Sequence, residues 1–332
     1  MANHLLAICE NSSPPPQVGQ NWVYKLVKCY PDQLKSRFSR RYNYERAKCE
    51  NSKLVYQWFN DVLAKITEHG ILLEDIYNFD ETGFAMGLIA TTKVITSRKV
   101  DGDPKLLQPG NREWVTSIET ICTTGESLPS YIIFKGKELQ DAWFKDLPPG
   151  WRIDVSPNGW TTDEIGIKWL ERLFIPETTK QLQGIYRMLI LDGHGSHLTP
   201  EFDHLYAENK IIPICMPAHL SHLLQPLDVA VFRPLKGAYG ELVSKRMQHN
   251  YNHIDKVDFL QAFPTAHKIA FKPQTIQNGF KAAELVPFNP EVVIAKLHIQ
   301  LKHQHHQVVE EVLEEALVYH QISLIPLGIL AN

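Results

Sequence analysis

Three aspartates stand where chemistry could be done. Asp80 closes the apolar run Ile76-Tyr77-Asn78-Phe79, and Asp192 closes the run Arg187-Met188-Leu189-Ile190-Leu191. Asp228 lies in Leu224-Gln225-Pro226-Leu227-Asp228-Val229. Open α/β sheets place their ligands at the C-terminal ends of strands, where the first two fall. Pro226 suits the first turn of a helix, which would put Asp228 where the helix dipole favours an ionised carboxylate. Three converging carboxylates in a partly buried site cannot all stay ionised without a cation, and hard oxygen ligands select Mg²⁺ or Mn²⁺. Two such ions, about 3.5–4 Å apart, would activate a nucleophile and stabilise the leaving oxygen of a phosphodiester. Each aspartate taken alone also reads as a turn or cap residue, a role Asp favours.

Two other chemistries compete for the same stretch. His194, His197, His204, His219 and His222 cluster around the second and third aspartates. Imidazole ligates zinc, but the carboxylates already match a hard cation. Bonding to backbone, or orienting the carboxylates from outside, is the better reading of these rings, with His194 and His197 as the leading candidates. Gln225 and Ser221 would brace the segment carrying Asp228. The run Gly193-His194-Gly195-Ser196-His197 is no nucleophile elbow, because no glycine stands two residues after Ser196.

The elements that must position these residues follow from periodicity. Ser52 to Gly70 predicts an amphipathic helix, with Leu54, Trp58, Val62 and Ile66 in one row, Ser52 as N-cap and Gly70 as the stop. Ile76 to Phe79 predicts a short strand after which Gly83 turns the chain. Trp114 to Thr123 and Tyr131 to Phe134 predict a hairpin around Gly125. Thr161 to Thr179 predicts a helix opened by a Thr161/Glu164 capping box. Tyr186 to Leu191 and Ile211 to Met216 predict buried strands, with a short helix over Pro200 to Asn209 between them. Pro234 should kink or restart the helix after Asp228. Strands and helices in this order give a mixed α/β sheet.

The chain has 332 residues, 44% of them hydrophobic and 21% charged, which excludes a fully disordered protein. No apolar stretch is long enough for a transmembrane helix, and the N-terminus does not read as a secretory signal. The five cysteines, at 9, 29, 49, 122 and 215, form no C-x-x-C pair and predict neither disulfides nor a zinc site. The net charge of −3 hides a basic segment. From Asn21 to Glu50 eight bases face three acids, for a local +5. Lys25, Lys28, Arg37, Arg40, Arg41 and Arg46 belong to it. It reads equally as a phosphate-touching segment or as a solvated surface with a small apolar anchor.

Several blocks together resemble the DDE-superfamily endonuclease domain of pogo/Fot1-type transposases, in the Tc1/mariner group. They are Asn78-Phe79-Asp80-Glu81-Thr82-Gly83-Phe84, then Leu191-Asp192-Gly193-His194-Gly195-Ser196-His197, then the run from Pro217 through Asp228 to Lys236. Asn111 to Thr116, Phe134 to Lys137, Gly279 to Ala282 and Leu285 to Pro290 are similar too, so the likeness spans roughly Gly19 to Leu297.

The resemblance implies an RNase H-like mixed sheet flanked by helices, with a small helical N-terminal segment. It implies that Asp80, Asp192 and Asp228 are the catalytic, metal-binding triad of a two-ion DNA endonuclease and strand transferase. Arg233 and Lys236 would meet phosphate or solvent. It also implies a division into 1–50, the end of a CENP-B-type helix-turn-helix; 51–72, a connector helix; 73–298, the endonuclease; and 299–332, a helical tail. Only the end of the helix-turn-helix is expected here, so reading of transposon ends is not. DNA is the expected partner and the nucleus the expected place. The assembly allowed for is a homodimer, without membrane or small-molecule substrate. The alternative is a domesticated or decayed relative that binds DNA or chromatin without cutting it.

Overall fold

The computed structural model describes residues 21–29, 31, 52–87, 113–192, 199–248 and 253–301. Two compact units divide the chain. One combines Met1–Asn43 with His298–Asn332. Its described N-terminal part is helix α1 (Trp22–Cys29), which carries Lys25 and Lys28. Arg37, Arg40, Arg41 and Arg46 lie outside the described residues, as do the tail beyond 301 and the stretch with His194 and His197.

The other unit, Tyr44–Leu297, is built on a mixed six-stranded sheet. Its strands are β1 (Ile76–Ala85), β2 (Trp114–Cys122), β3 (Tyr131–Lys135), β4 (Arg152–Ser156), β5 (Arg187–Leu191) and β6 (Ile211–Cys215). They lie in the order β4-β3-β2-β1-β5-β6. The hairpin is present: β2 pairs antiparallel with both β1 and β3, and Gly125 turns at φ +100° between β2 and β3. β5 lies parallel to β1 and to β6, and β4 parallel to β3.

Alternation along the strands makes both faces apolar, and helices cover each. On one face Ile132 and Phe134 pack with Phe59 of α2 (Ser52–His69), and with Phe259 and Phe280 from two later helices. α2 buries Val55, Trp58, Phe59 and Val62 but leaves Leu54 and Leu63 exposed, a stripe turned from the expected row. Gly70 ends it at φ +61°, as the sequence predicted. On the other face Tyr77 and Phe79 pack with Trp169, Phe174 and Phe202. Trp169 ends α3 (Asp163–Trp169), which runs through a widened π-type turn, Leu170–Phe174, into α4 (Ile175–Gln181). Phe202 sits on α5 (Pro200–Glu208).

Three local expectations need correction. β1 does not stop at Phe79; it continues through ten residues, because the polar run from Asp80 to Ala85 pairs rung by rung with β2. Gly83 therefore turns nothing. It faces Thr116 in the ladder, and the Trp114 ring fills its missing side chain: an added Cβ would lie 1.9 Å from that ring. The cap of α3 is Thr162, whose side chain accepts from the Ile165 N–H, while Thr161 donates to Glu81 instead.

Candidate active site

The ladder between β1 and β5 ends at the rung Asn78–Ile190. Asp80 and Asp192 each come two residues after that rung, so both leave the same end of the ladder, Asp80 still within β1 and Asp192 just past the end of β5. Asp80 is thus mid-strand in β1, still paired with β2 opposite Glu119, at the point where β5 leaves it. Both aspartates are half-buried.

Asp228 arrives from another direction. It is exposed on a π-type turn, Leu227–Val231, that feeds α6 (Phe232–Gln248). The expected helix is there, but its first turn is wide. Pro234 lacks an N–H and its ring crowds the carbonyl four residues back, so the widening falls where that clash would be. Arg233 and Lys236 follow on exposed positions of α6.

Two buried amides tie the pieces together. The Asn78 side chain donates to the Ile190 carbonyl at 3.1 Å and to the Gln225 side-chain oxygen. Its own oxygen accepts from the Leu227 N–H at 3.2 Å. Gln225 donates to the Phe79 carbonyl at 3.0 Å and hydrogen-bonds the Asp80 carboxylate. Both side chains are fully buried. Gln225 was expected to brace this segment and does; Asn78 was missed as a site residue. The available signal was period two: Asn78 shares a strand face with Asp80.

From the far side α7 (Pro273–Ala282) presses on the same turn at Gly279. A Cβ there would stand 2.8 Å from the Pro226 carbonyl oxygen.

The Asp80 carboxyl is pushed well above the usual carboxylate range, first by burial, then by Asp228, then by Asp192. The Glu81 N–H, donating to it at 2.8 Å, and Gln225 only partly offset this. A site that raises one acid through two others favours a proton or a cation between them. Among the described residues, no group of three acidic, imidazole or thiol side chains forms a ready-made metal cage. The fit of a divalent ion therefore rests on donor chemistry, three hard carboxylates with one held against its own charge. The described histidines do not converge: His204 pairs with Glu208 on its own helix, and His222 contacts the His219 carbonyl.

Residues 111–280 match the family model described as DDE superfamily endonuclease. That is about half of the chain, and it contains Asp192 and Asp228. The chain belongs to the DDE superfamily of endonucleases. Asp80 precedes the matched stretch, so its place beside the other two rests on the register and the electrostatics above. Similar proteins include the human "Pogo transposable element with KRAB domain", 28% identical over 187 residues, 55% of this chain and 29% of that protein. Another is "MFS-type transporter clz9" of Cochliobolus lunatus, 43% identical over 245 residues, 74% of this chain and 27% of that protein. The chain thus spans less than a third of either relative's length. No helix among the described residues is long and apolar enough to cross a membrane. In fold, the DDE unit is similar to the Mos1 mariner paired end complex with Mn, at TM-score 0.52 and 11% identity, over 84% of this chain and 71% of that one. The Mos1 strand transfer complex gives 0.51 at 11%, over 84% and 70%. The fold is RNase H-like, as the resemblance implied.

Proposed function

We propose that this chain cuts and joins DNA strands with two divalent ions, Mg²⁺ or Mn²⁺, held by Asp80, Asp192 and Asp228. One observation carries the reading: Asp80 and Asp192 both follow the last rung between β1 and β5, and the Asn78–Gln225 amides tie the segment before Asp228 to the same strand end, with the Asp80 carboxyl raised first by burial, then by Asp228 and Asp192. Such ions lower the pKa of an attacking water and neutralise the leaving oxygen. Asp80 in β1, Asp192 just past the end of β5 and Asp228 on its turn would together supply the carboxylates that hold the ions. Asp80 gives up its proton on loading, so binding should release protons. The Gln225 amide keeps the Asp80 carboxylate aimed while this happens. In the first step water displaces the 3′-oxygen of a phosphodiester at the element's end. The freed 3′-hydroxyl then displaces a target phosphodiester oxygen in the second.

Support also comes from the structural neighbours, a Mos1 strand transfer complex and a Mos1 mariner paired end complex with Mn. DNA is the proposed partner, a homodimer the proposed assembly and the nucleus the proposed location. The test is nicking of a DNA duplex in Mn²⁺ by wild type and by folded Asp80→Asn, Asp192→Asn and Asp228→Asn. Each substitution keeps size and removes charge, and each should abolish nicking. Asp228 is the only acid between Cys215 and Tyr239, so no neighbour in that segment replaces it. An Asp228→Asn variant that nicks as wild type does would sink the assignment. A wild type that binds duplex but nicks none would leave the non-cutting, DNA- or chromatin-binding reading in its place.

A further inference from the structure

We propose that Asn78 and Gln225 form a neutral clasp that sets the spacing of the three aspartates, and that both are positioning residues of the centre. The inference rests on the two-ion reading above. Every atom the clasp grips lies one or two residues from an aspartate. The Phe79 carbonyl precedes Asp80, the Ile190 carbonyl stands two before Asp192, and the Leu227 N–H precedes Asp228. Asn78 itself stands two before Asp80 and joins Gln225 directly, across 147 residues of chain.

The clasp sits where backbone bonding gives out. Beyond the rung Asn78–Ile190 no ladder bond joins β1 to β5, and no strand includes Asp228. Something other than the sheet must fix the three carboxylates against their mutual repulsion. A carboxylate in that role would add to the repulsion, and a lysine or arginine would occupy the place of the cation. A primary amide donates and accepts at once and carries no charge. Two of them interlocked satisfy strand carbonyls and a backbone N–H with no change in net charge. Full burial of both makes each lost bond costly and each geometry narrow.

The experiment uses the full chain and the variants Gln225→Met and Asn78→Leu, which keep volume and remove the amides. A control, Leu173→Ala, creates a cavity in the buried π-type turn on the other sheet face. Circular dichroism checks folding. Mn²⁺ affinity is measured by calorimetry, and nicking as kcat and KM. Hydrogen exchange of the metal-free protein is followed in the peptide 225–231. The clasp variants should lose about 10–100-fold in Mn²⁺ affinity, the range for groups that orient metal ligands. They should lower kcat with KM for DNA little changed, and exchange faster at the Leu227 amide. The control should melt lower yet bind Mn²⁺ as wild type does. Clasp variants that are folded and bind Mn²⁺ within twofold of wild type would overturn the proposal. If wild type itself binds no Mn²⁺, the two-ion reading fails, and exchange decides the clasp: selective speeding at 225–231 supports it, unchanged exchange overturns it. If neither variant folds, Gln225→Asn, which keeps a neutral amide but stops one methylene short of Asn78 and Phe79, replaces them under the same criteria.

Discussion

Gly279 passes so close to Pro226 that a single methyl group would push the Asp228 turn away. The added carbon would meet the Pro226 carbonyl oxygen at 2.8 Å and the Ala230 side chain at 3.3 Å. In most exposed helix positions Gly→Ala stabilises by about 1 kcal/mol. Gly237, on the helix after Asp228, has nothing within 4 Å of such a carbon. We predict opposite signs. Gly237→Ala should stabilise by roughly 0.5–1 kcal/mol, and Gly279→Ala should destabilise by about 1–3 kcal/mol. Urea melts of both variants test this. Gly279→Ala should also weaken Mn²⁺ binding, and equal signs for the two would refute the packing argument.

Asp80 gives a pH prediction. Its folded pKa is raised, so the folded state holds a proton that the unfolded state has already released. Stability from this group is full below the ordinary carboxylate range and is lost as pH rises toward the folded value. The metal-free protein should therefore melt progressively lower as pH rises from the acid side, relative to Asp80→Asn. That variant should melt a few degrees higher than wild type at neutral pH without metal. Mn²⁺ should raise the wild-type melting temperature and leave Asp80→Asn unmoved. Parallel melting curves for the two proteins between about pH 5 and pH 8 would refute the repulsion among the three acids.

Glu119, opposite Asp80 in the ladder, meets a ring nitrogen of His267 at 3.1 Å inside the core. Ser117 and Ser130 donate to the same carboxylate, and the His267 ring stacks on Phe271. Removing the histidine takes that partner from the buried carboxyl and empties the place stacked on Phe271, a loss on the order of 3–5 kcal/mol. Glu119→Gln keeps the shape and most acceptors and should cost about 1–3 kcal/mol. Denaturant titration of His267→Ala and Glu119→Gln compares them. A smaller loss for His267→Ala than for Glu119→Gln would contradict the pairing.

The basic segment from Lys25 to Lys48 should give DNA affinity without sequence preference, since phosphate contacts position a protein but do not read bases. Neutralising Arg40 and Arg41 together should weaken binding to unrelated duplexes by similar factors and flatten the salt dependence by about two contacts' worth of slope. Fluorescence anisotropy over a salt series measures both. A tight preference for one duplex, surviving at high salt, would show base reading instead.

Much of the sheet was legible in the amino-acid order because apolar runs mark strands well. β5, β6 and the hairpin around Gly125 fall within a residue or two of expectation. Asp80 and Asp192 stood out because each closes such a run, and Asp228 because Pro226 marks a helix start beside it. What stayed hidden depended on partners distant in the chain. The second half of β1 is polar, and only its rungs to β2 make it a strand. Gly83 looked like a turn because the Trp114 ring that fills its place comes thirty-one residues later. Thr161 looked like a cap because its true acceptor, Glu81, lies eighty residues back. Asn78 looked like part of an apolar run until Gln225 was set beside it.

The amide pair reaches across 147 residues, and the helix pressing the Asp228 turn comes later still. Contacts so distant in sequence form late, because their loops must close before they return any free energy. A chain emerging from the ribosome therefore holds a partial sheet long before it holds a complete centre. Under the proposed function, a copy terminated before residue 279 would lack the helix that presses the Asp228 turn and should not nick DNA.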